Sequence, residues 1–252
     1  FDSSADIELT PKAISLLLKT KEKKKKQEFK AHFTKHIKFN SLKKEIFLDE
    51  RIAKDINQLK NVCSSKSFNK IIKDLKKANL PSGIVSIFYG FPGTGKTASV
   101  YEIAKLTKRD VLQVDISSIQ SKWVGESEKN TKAIFDEYKK ACEILKAKPI
   151  LLFNEADALI SKRLDVTDAV GQMNNTMQNI LLEELENFDG IFMATTNLID
   201  NMDDAFSRRF LNKIKFDRPT AKTREFIWKS KLPELEDKIY EKLSKYDLSG
   251  GQ

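Results

Sequence analysis

Cysteine is nearly absent from this chain, with only Cys63 and Cys142 in 252 residues. They lie far apart and form no CxxC pair, which excludes a disulfide framework and a cysteine-based zinc site and fits a reducing compartment. Glycine and proline are scarce too, at nine and six residues, too few for a collagen-like or linker-like chain. Histidine occurs twice, as His32 and His36. Their spacing would put both on one face of a helix, but no glutamate follows the first as in HExxH and no third ligand stands out. They read as surface histidines. No run of about 18 apolar residues exists, so no segment reads as crossing a membrane. No secretory leader is visible, and the expected location is the cytoplasm. The chain opens at Phe1 rather than Met, which reads as a piece of a longer or processed protein.

What is present is core volume and positive charge. Sixteen phenylalanines and 40% hydrophobic residues suffice for one large α/β domain with a smaller appendage. Lysine and arginine total 45 against 36 acids, a formal charge of +9. This excess is uneven. Residues 1–48 hold twelve lysines and six acids, a net of +6, and the remaining 204 residues carry only +3. A basic run, Lys19, Lys21 and Lys23 to Lys26, follows an apolar patch at residues 14–18. Residues 1–48 therefore read as a basic helical or linker segment with a solvated face and a localising or partner-binding role.

Periodicity changes after this segment. Ile52, Ile56 and Leu59 recur at helical spacing, as do Phe68, Ile71, Ile72 and Leu75, which predicts two helices. Asn79 to Gly83 breaks the pattern. Residues 84–89 are mostly apolar and β-branched, as in a strand buried on both faces. Further strands are predicted at 110–116, 149–153, 190–195 and 212–216, with helices beginning near Lys96, Glu126, Met173 and Met202. This alternation implies an α/β fold with a parallel sheet flanked by helices.

The strongest motif follows the first of these strands. Gly90-Phe91-Pro92-Gly93-Thr94-Gly95-Lys96-Thr97 fits GxxxxGK[ST], with a strand before it and a helix after. Glycines let successive N–H groups turn inward to cradle phosphates, and the new helix adds its positive dipole end. Lys96 reaches the β- and γ-phosphates, and the Thr97 hydroxyl is offered to Mg²⁺. The motif implies ATP and Mg²⁺ as ligands. A second half is supplied by the apolar strand Ile150-Leu151-Leu152-Phe153 and the Asn154-Glu155-Ala156-Asp157 that ends it. Glu155 projects where an attacking water should lie and could orient or deprotonate it. Asn154 stands where an aspartate would hold the Mg²⁺ shell and is expected to reach the cation through water. It keeps the carbonyl acceptor but loses a full negative charge, so weaker Mg²⁺ retention is expected.

These residues, from about Asp49 to the end, resemble the AAA+ ATPases of the protein-remodelling branch. Residues 90–97 are similar to Walker A and 150–157 to Walker B. Ala194-Thr195-Thr196-Asn197 resembles sensor 1, which implies that Asn197 senses the γ-phosphate and helps place the water. Asp204 to Phe210 resembles the arginine-finger segment, which implies that Arg208 and Arg209 reach the nucleotide of a neighbouring subunit. Ser121 to Glu128 resembles pore loop 1, which implies that Trp123 and Val124 grip an extended polypeptide, although Trp123 also reads as a core aromatic. The family's fold places a P-loop NTPase core at residues 49–218 and the start of an α-helical lid at 219–252, opening with a helix at 222–231. No sensor 2 arginine can be assigned. Asn154 within Phe153-Asn154-Glu155-Ala156-Asp157 is similar to a group of bacterial AAA proteins, so the source is expected to be bacterial.

The terminal Leu248-Ser249-Gly250-Gly251-Gln252 spells the ABC-transporter signature, but it falls about 90 residues after the Walker B-like strand instead of before it. It reads instead as a Ser-Gly-rich turn entering further lid helices. The resemblance implies an ATP hydrolase that remodels or threads proteins as a homo-oligomeric ring, expected to be a hexamer. Two alternatives stay open. A nucleic-acid-associated ATPase would use the net charge, yet no helix-turn-helix or aromatic-basic surface supports it. A nucleotide-gated scaffold would use Asn154 to slow turnover.

Overall fold

The structure is a computed structural model and describes residues 29–42, 46–116, 127–162, 169–198 and 202–251. It opens with β1 (Lys35–Ile37), α1 (Glu50–Cys63) and α2 (Ser65–Lys77). Strands and helices then alternate through β2 (Ile84–Gly90), α3 (Lys96–Thr107), β3 (Val111–Asp115), α4 (Ser127–Ile144), β4 (Ile150–Asn154), α5 (Asp157–Ile160), α6 (Ala169–Glu186), β5 (Ile191–Thr196), α7 (Asp204–Arg209) and β6 (Asn212–Phe216). Two helices close the chain, α8 (Ala221–Lys231) and α9 (Asp237–Ser244).

The strands form one six-stranded sheet in the order β1-β3-β4-β5-β2-β6. From β2 to β6 all pairings are parallel. Side chains alternate across a strand, so an apolar strand feeds two cores at once. Leu151 and Phe153 of β4 join Phe135 of α4 and Leu181 of α6 on one face. Ile150 and Leu152 join Ile56 of α1, Phe68 of α2 and Ile103 of α3 on the other. This explains the unbroken hydrophobic runs: a strand buried on both faces has no polar side to show. Truncating such a residue, Leu152→Ala for instance, costs about 2–5 kcal/mol. No described helix is long and apolar enough to cross a membrane.

The chain before Asp49 departs from the sequence reading. The boundary at 48/49 is not an edge of the fold, because β1 lies upstream of it and pairs antiparallel with β3. Two carboxylates from distant parts of the chain hold it there. Glu137 of α4 accepts from the backbone N–H groups of His32 (2.6 Å), Phe33 (2.9 Å) and Thr34 (3.0 Å), and from the Thr34 hydroxyl (2.6 Å). Asp110 receives the Phe39 N–H at 3.0 Å and sits 2.9 Å from His36 Nε2. His36 is therefore a strand residue with a partner, not a surface histidine on a helix. A three-residue strand that begins with lysine has no hydrophobic pattern to read, and its fixing groups are remote in sequence. The basic run at 19–26 lies outside the described residues.

At the other end, α8 matches the helix expected at 222–231, and α9 adds a turn and helix that pattern reading did not assign. The start of α1 clamps the passage from the core into these helices. Asp49 accepts from the Thr220 N–H (3.2 Å), the Thr220 hydroxyl (2.7 Å) and the Thr223 hydroxyl. Arg51 donates to Asp217 at 2.8 Å.

Candidate nucleotide site

The ends of β2, β4 and β5 meet at one edge of the sheet. The chain leaves β2 toward β3 on one side and later crosses from β5 to β6 on the other. In open α/β sheets this reversal opens a crevice beyond the carboxyl ends of the strands, where ligands bind. The 90–97 loop rises from β2 into that crevice. Gly90, Gly93 and Gly95 have φ of 135°, 72° and 95°, a region that L side chains avoid. A Cβ on Gly90 would also collide with the Phe216 carbonyl. Gly95 caps α3, so the helix N-terminus faces the loop. Thr94 folds back, donating its hydroxyl to the Phe91 carbonyl at 2.7 Å. Phe91 and Pro92 hold the outer turn, where Arg218 stacks 5.1 Å from the Phe91 ring centre.

Lys96 is buried and lies across the loop. Its ammonium donates to the carbonyls of Gly90 (3.0 Å) and Phe91 (2.7 Å) and to Asn197 Oδ1 (2.9 Å). Burial lowers its pKa, and the negative charges of Asp157 and Glu155 offset part of that shift. Thr97 donates its hydroxyl to Asn154 Oδ1 at 2.7 Å, and Thr195 donates to the same oxygen at 3.1 Å. The Thr195 hydroxyl also accepts the Glu155 N–H at 3.1 Å. Glu155 has φ of 54°, a left-handed backbone that costs a non-glycine residue about 1–2 kcal/mol. Asp157 accepts from the Thr196 hydroxyl and, at 2.8 Å, from the Asn197 N–H. It therefore fixes the turn that carries Asn197 to Lys96.

The structure thus gathers Lys96, Thr97, Asn154, Glu155 and Asn197 in one crevice. Arg208 and Arg209 lie elsewhere, on α7, and their situations differ. Arg208 is exposed. Arg209 donates to Glu186 Oε2 and to the Ala205 carbonyl, each at 3.3 Å. Trp123 and Val124 lie outside the described residues. Sequence reasoning missed several lining groups. Ile46 and Phe47 close one side of the cavity, and Pro219, Ile227, Gly250 and Gly251 close another. The Gly251 N–H donates to the Gly93 carbonyl at 3.1 Å. Ile46 and Phe47 sat in a segment read as basic and solvated. The Ser-Gly turn offered a signal in its glycines, which allow close backbone approach.

The cavity has a volume of 480 Å³, within the range of small-molecule sites. Turned-in glycines, a helix N-terminus and a lysine suit a polyphosphate. The Thr97 hydroxyl, the Asn154 carbonyl oxygen and the Glu155 carboxylate are hard oxygen donors suited to Mg²⁺. No group of three or more His, Cys, Asp or Glu among the described residues could hold a metal alone.

Comparison with known proteins agrees with this geometry. Residues 86–218 match the family described as "ATPase family associated with various cellular activities (AAA)". Tat-binding homolog 7 of Caenorhabditis briggsae is 32% identical over 191 residues, covering 68% of this chain and 14% of that protein. The proteasome-activating nucleotidase of Methanocella arvoryzae is 33% identical over 156 residues, covering 59% of this chain and 36% of that one. The chain therefore spans well under half the length of these relatives. The crystal structure of the FIGL-1 AAA domain in complex with ADP shares the fold, with a TM-score of 0.60 at 23% identity, covering 83% of this chain and 70% of that one. Sheet order, phosphate loop and sequence match converge, and the chain belongs to the ATPase family associated with various cellular activities.

Proposed function

We propose that this chain binds ATP with Mg²⁺ at the 90–97 loop, hydrolyses it, and uses the cycle to remodel or thread protein substrates as a cytoplasmic homo-oligomeric ring, a hexamer by the family pattern. The observation that carries this reading is the network joining three strand ends: Lys96 to Asn197, and Thr97 through Asn154 and Thr195 to Glu155. Two hydrogen-bonded sets support it, one joining the loop lysine to Asn197 and the other joining Thr97, Asn154 and Thr195 to the Glu155 backbone. The loop N–H groups and Lys96 hold the phosphates, which requires Lys96 to give up its loop carbonyls. Mg²⁺, when bound, neutralises charge on the transferring phosphoryl group. Glu155 orients the attacking water and takes its proton. Asn197 keeps the lysine and the water in place.

The remaining charge stabilisation comes from a neighbouring subunit. Arg208 is the group suited to this, being exposed at the end of α7, whereas Arg209 is engaged by Glu186 within its own subunit. Trp123 and Val124 are assigned to substrate grip by resemblance. The name of one relative, a proteasome-activating nucleotidase, supports a protein substrate.

Asn154 favours a second reading, a nucleotide-gated scaffold that turns over slowly, because its carbonyl oxygen already receives two hydroxyl hydrogen bonds. One experiment separates the two. Phosphate release and ATP binding are measured for the wild type, Glu155→Gln and Lys96→Ala, with mass determined with and without ATP. Remodelling requires wild-type turnover well above Glu155→Gln and an ATP-dependent ring. Wild-type release no faster than Glu155→Gln would leave the scaffold, and loss of ATP binding in none of the variants would sink both.

A further inference from the structure

The missing charge at Asn154 has a neighbour. β3 and β4 pair in parallel, and Asp115 is the register partner of Asn154 at their carboxyl ends. Adjacent strands lie about 4.8 Å apart, so the two side chains leave the same face of the sheet side by side. The contacts of α3 identify that face. Thr97, in its first turn, bonds Asn154. Tyr101, one turn later, donates to Gln113 Oε1, and the Gln113 amide donates to Asp115 Oδ1 at 2.7 Å. Asp115 is only partly exposed, and this relay from Tyr101 fixes its carboxylate at the strand end.

The other nearby acids have different duties. Glu155 stands beyond the strand, on the turn that faces the cavity. Asp157 is bound to Thr196 and to the Asn197 backbone. Asp115 is thus the carboxylate placed beside Asn154 on the α3 face, next to the Thr97 hydroxyl's partner. A divalent cation that keeps most of its water is held by charge and by hydrogen bonds to that water as well as by direct ligands.

We propose that Asp115 is a positioning residue for the nucleotide-bound cation, supplying from β3 the negative charge that Asn154 does not supply from β4. The proposal rests on the ATP–Mg²⁺ reading of the site. It explains how an amide is tolerated at the end of β4: the charge has moved one strand across the sheet, and the asparagine keeps the hydroxyl hydrogen bonds. Gln113 and Tyr101 act through Asp115 by fixing its orientation.

The test is a Mg²⁺ titration of fluorescent ATP-analogue binding, with turnover excluded as a readout. Four proteins are compared: wild type, Asp115→Asn, Asn154→Asp and the double variant, each checked for folding by thermal melting. Loss of a cation-orienting group of this kind costs about tenfold or more in metal affinity. Asp115→Asn should therefore raise the Mg²⁺ needed for half-saturation by about tenfold. Asn154→Asp should restore it in the double variant while changing the wild type much less. Asp115→Ser serves if the asparagine variant does not fold. Unchanged Mg²⁺ dependence in the Asp115 variant, or strictly independent effects of the two substitutions, would overturn the proposal. Failure of the wild type to bind the analogue at all would instead overturn the reading of the site.

Discussion

Glu155 combines the chemistry of the site with its least comfortable backbone. Its left-handed φ places the carboxylate beyond the strand, and bonds from Glu155 N and Ala156 N to Thr195 hold the turn. Glycine adopts that conformation without the side-chain penalty. Glu155→Gly should therefore abolish phosphate release while leaving stability unchanged or raising it by up to about 1 kcal/mol in urea unfolding. A fall in stability would mean that the Glu155 side chain also supports the fold. The two arginines of α7 should separate in the same way. Arg208→Ala should cut ATP turnover with no change in melting temperature of the isolated subunit. Arg209→Ala should lower that temperature, since it removes the bonds to Glu186 and Ala205.

Elements differ in how plainly the sequence announces them. The strands at 84–90, 150–154 and 191–196 carry their own signal, because burial on both faces forces apolar runs, while the edge strand at 212–216 shows the alternation of a strand with one buried face. The phosphate loop was legible for a related reason: glycines at fixed offsets have no cheaper explanation. β1 was illegible because its stability is borrowed. Glu137 accepts four hydrogen bonds from residues 32–34 that lead into it, and no local pattern encodes a carboxylate about a hundred residues away. The same holds for Asp49, whose bonds to Thr220 and Thr223 join the first helix to the last pair. Glu137→Gln replaces one acceptor oxygen with an amide that confronts N–H donors. It should cost about 2 kcal/mol and speed amide exchange at residues 35–37 ahead of the central strands. Equal exchange throughout would show that β1 is held by its strand pairing alone.

At the scale of the whole molecule, Asp189 couples charge to stability. Burial alone would raise the pKa of Asp189, but hydrogen bonds from Lys148 and Lys76, at 2.8 Å and 2.6 Å, outweigh it and bring the pKa below its ordinary 3.8. A lowered acid pKa stabilises the fold above the unfolded-state value, and that contribution is lost as pH falls through the folded-state value. Asp189→Asn should thus reduce stability at neutral pH and flatten the loss of stability on acidification, by a small amount because the pair is partly exposed to solvent. The cysteines tell the opposite story, since burial pushes Cys63 up to about 12 and keeps it inert to thiol reagents at neutral pH. The two margins of the sheet are also defended differently. β6 carries Lys213 and Lys215 on its outer side chains, charges that discourage another strand from adding there. β3, with Val111, Leu112 and Val114, has no such guard, and β1 occupies its open hydrogen bonds instead. The short N-terminal strand is therefore a shield against edge-to-edge aggregation, and a version of the chain trimmed to Asp49 would bare an apolar edge that invites self-association.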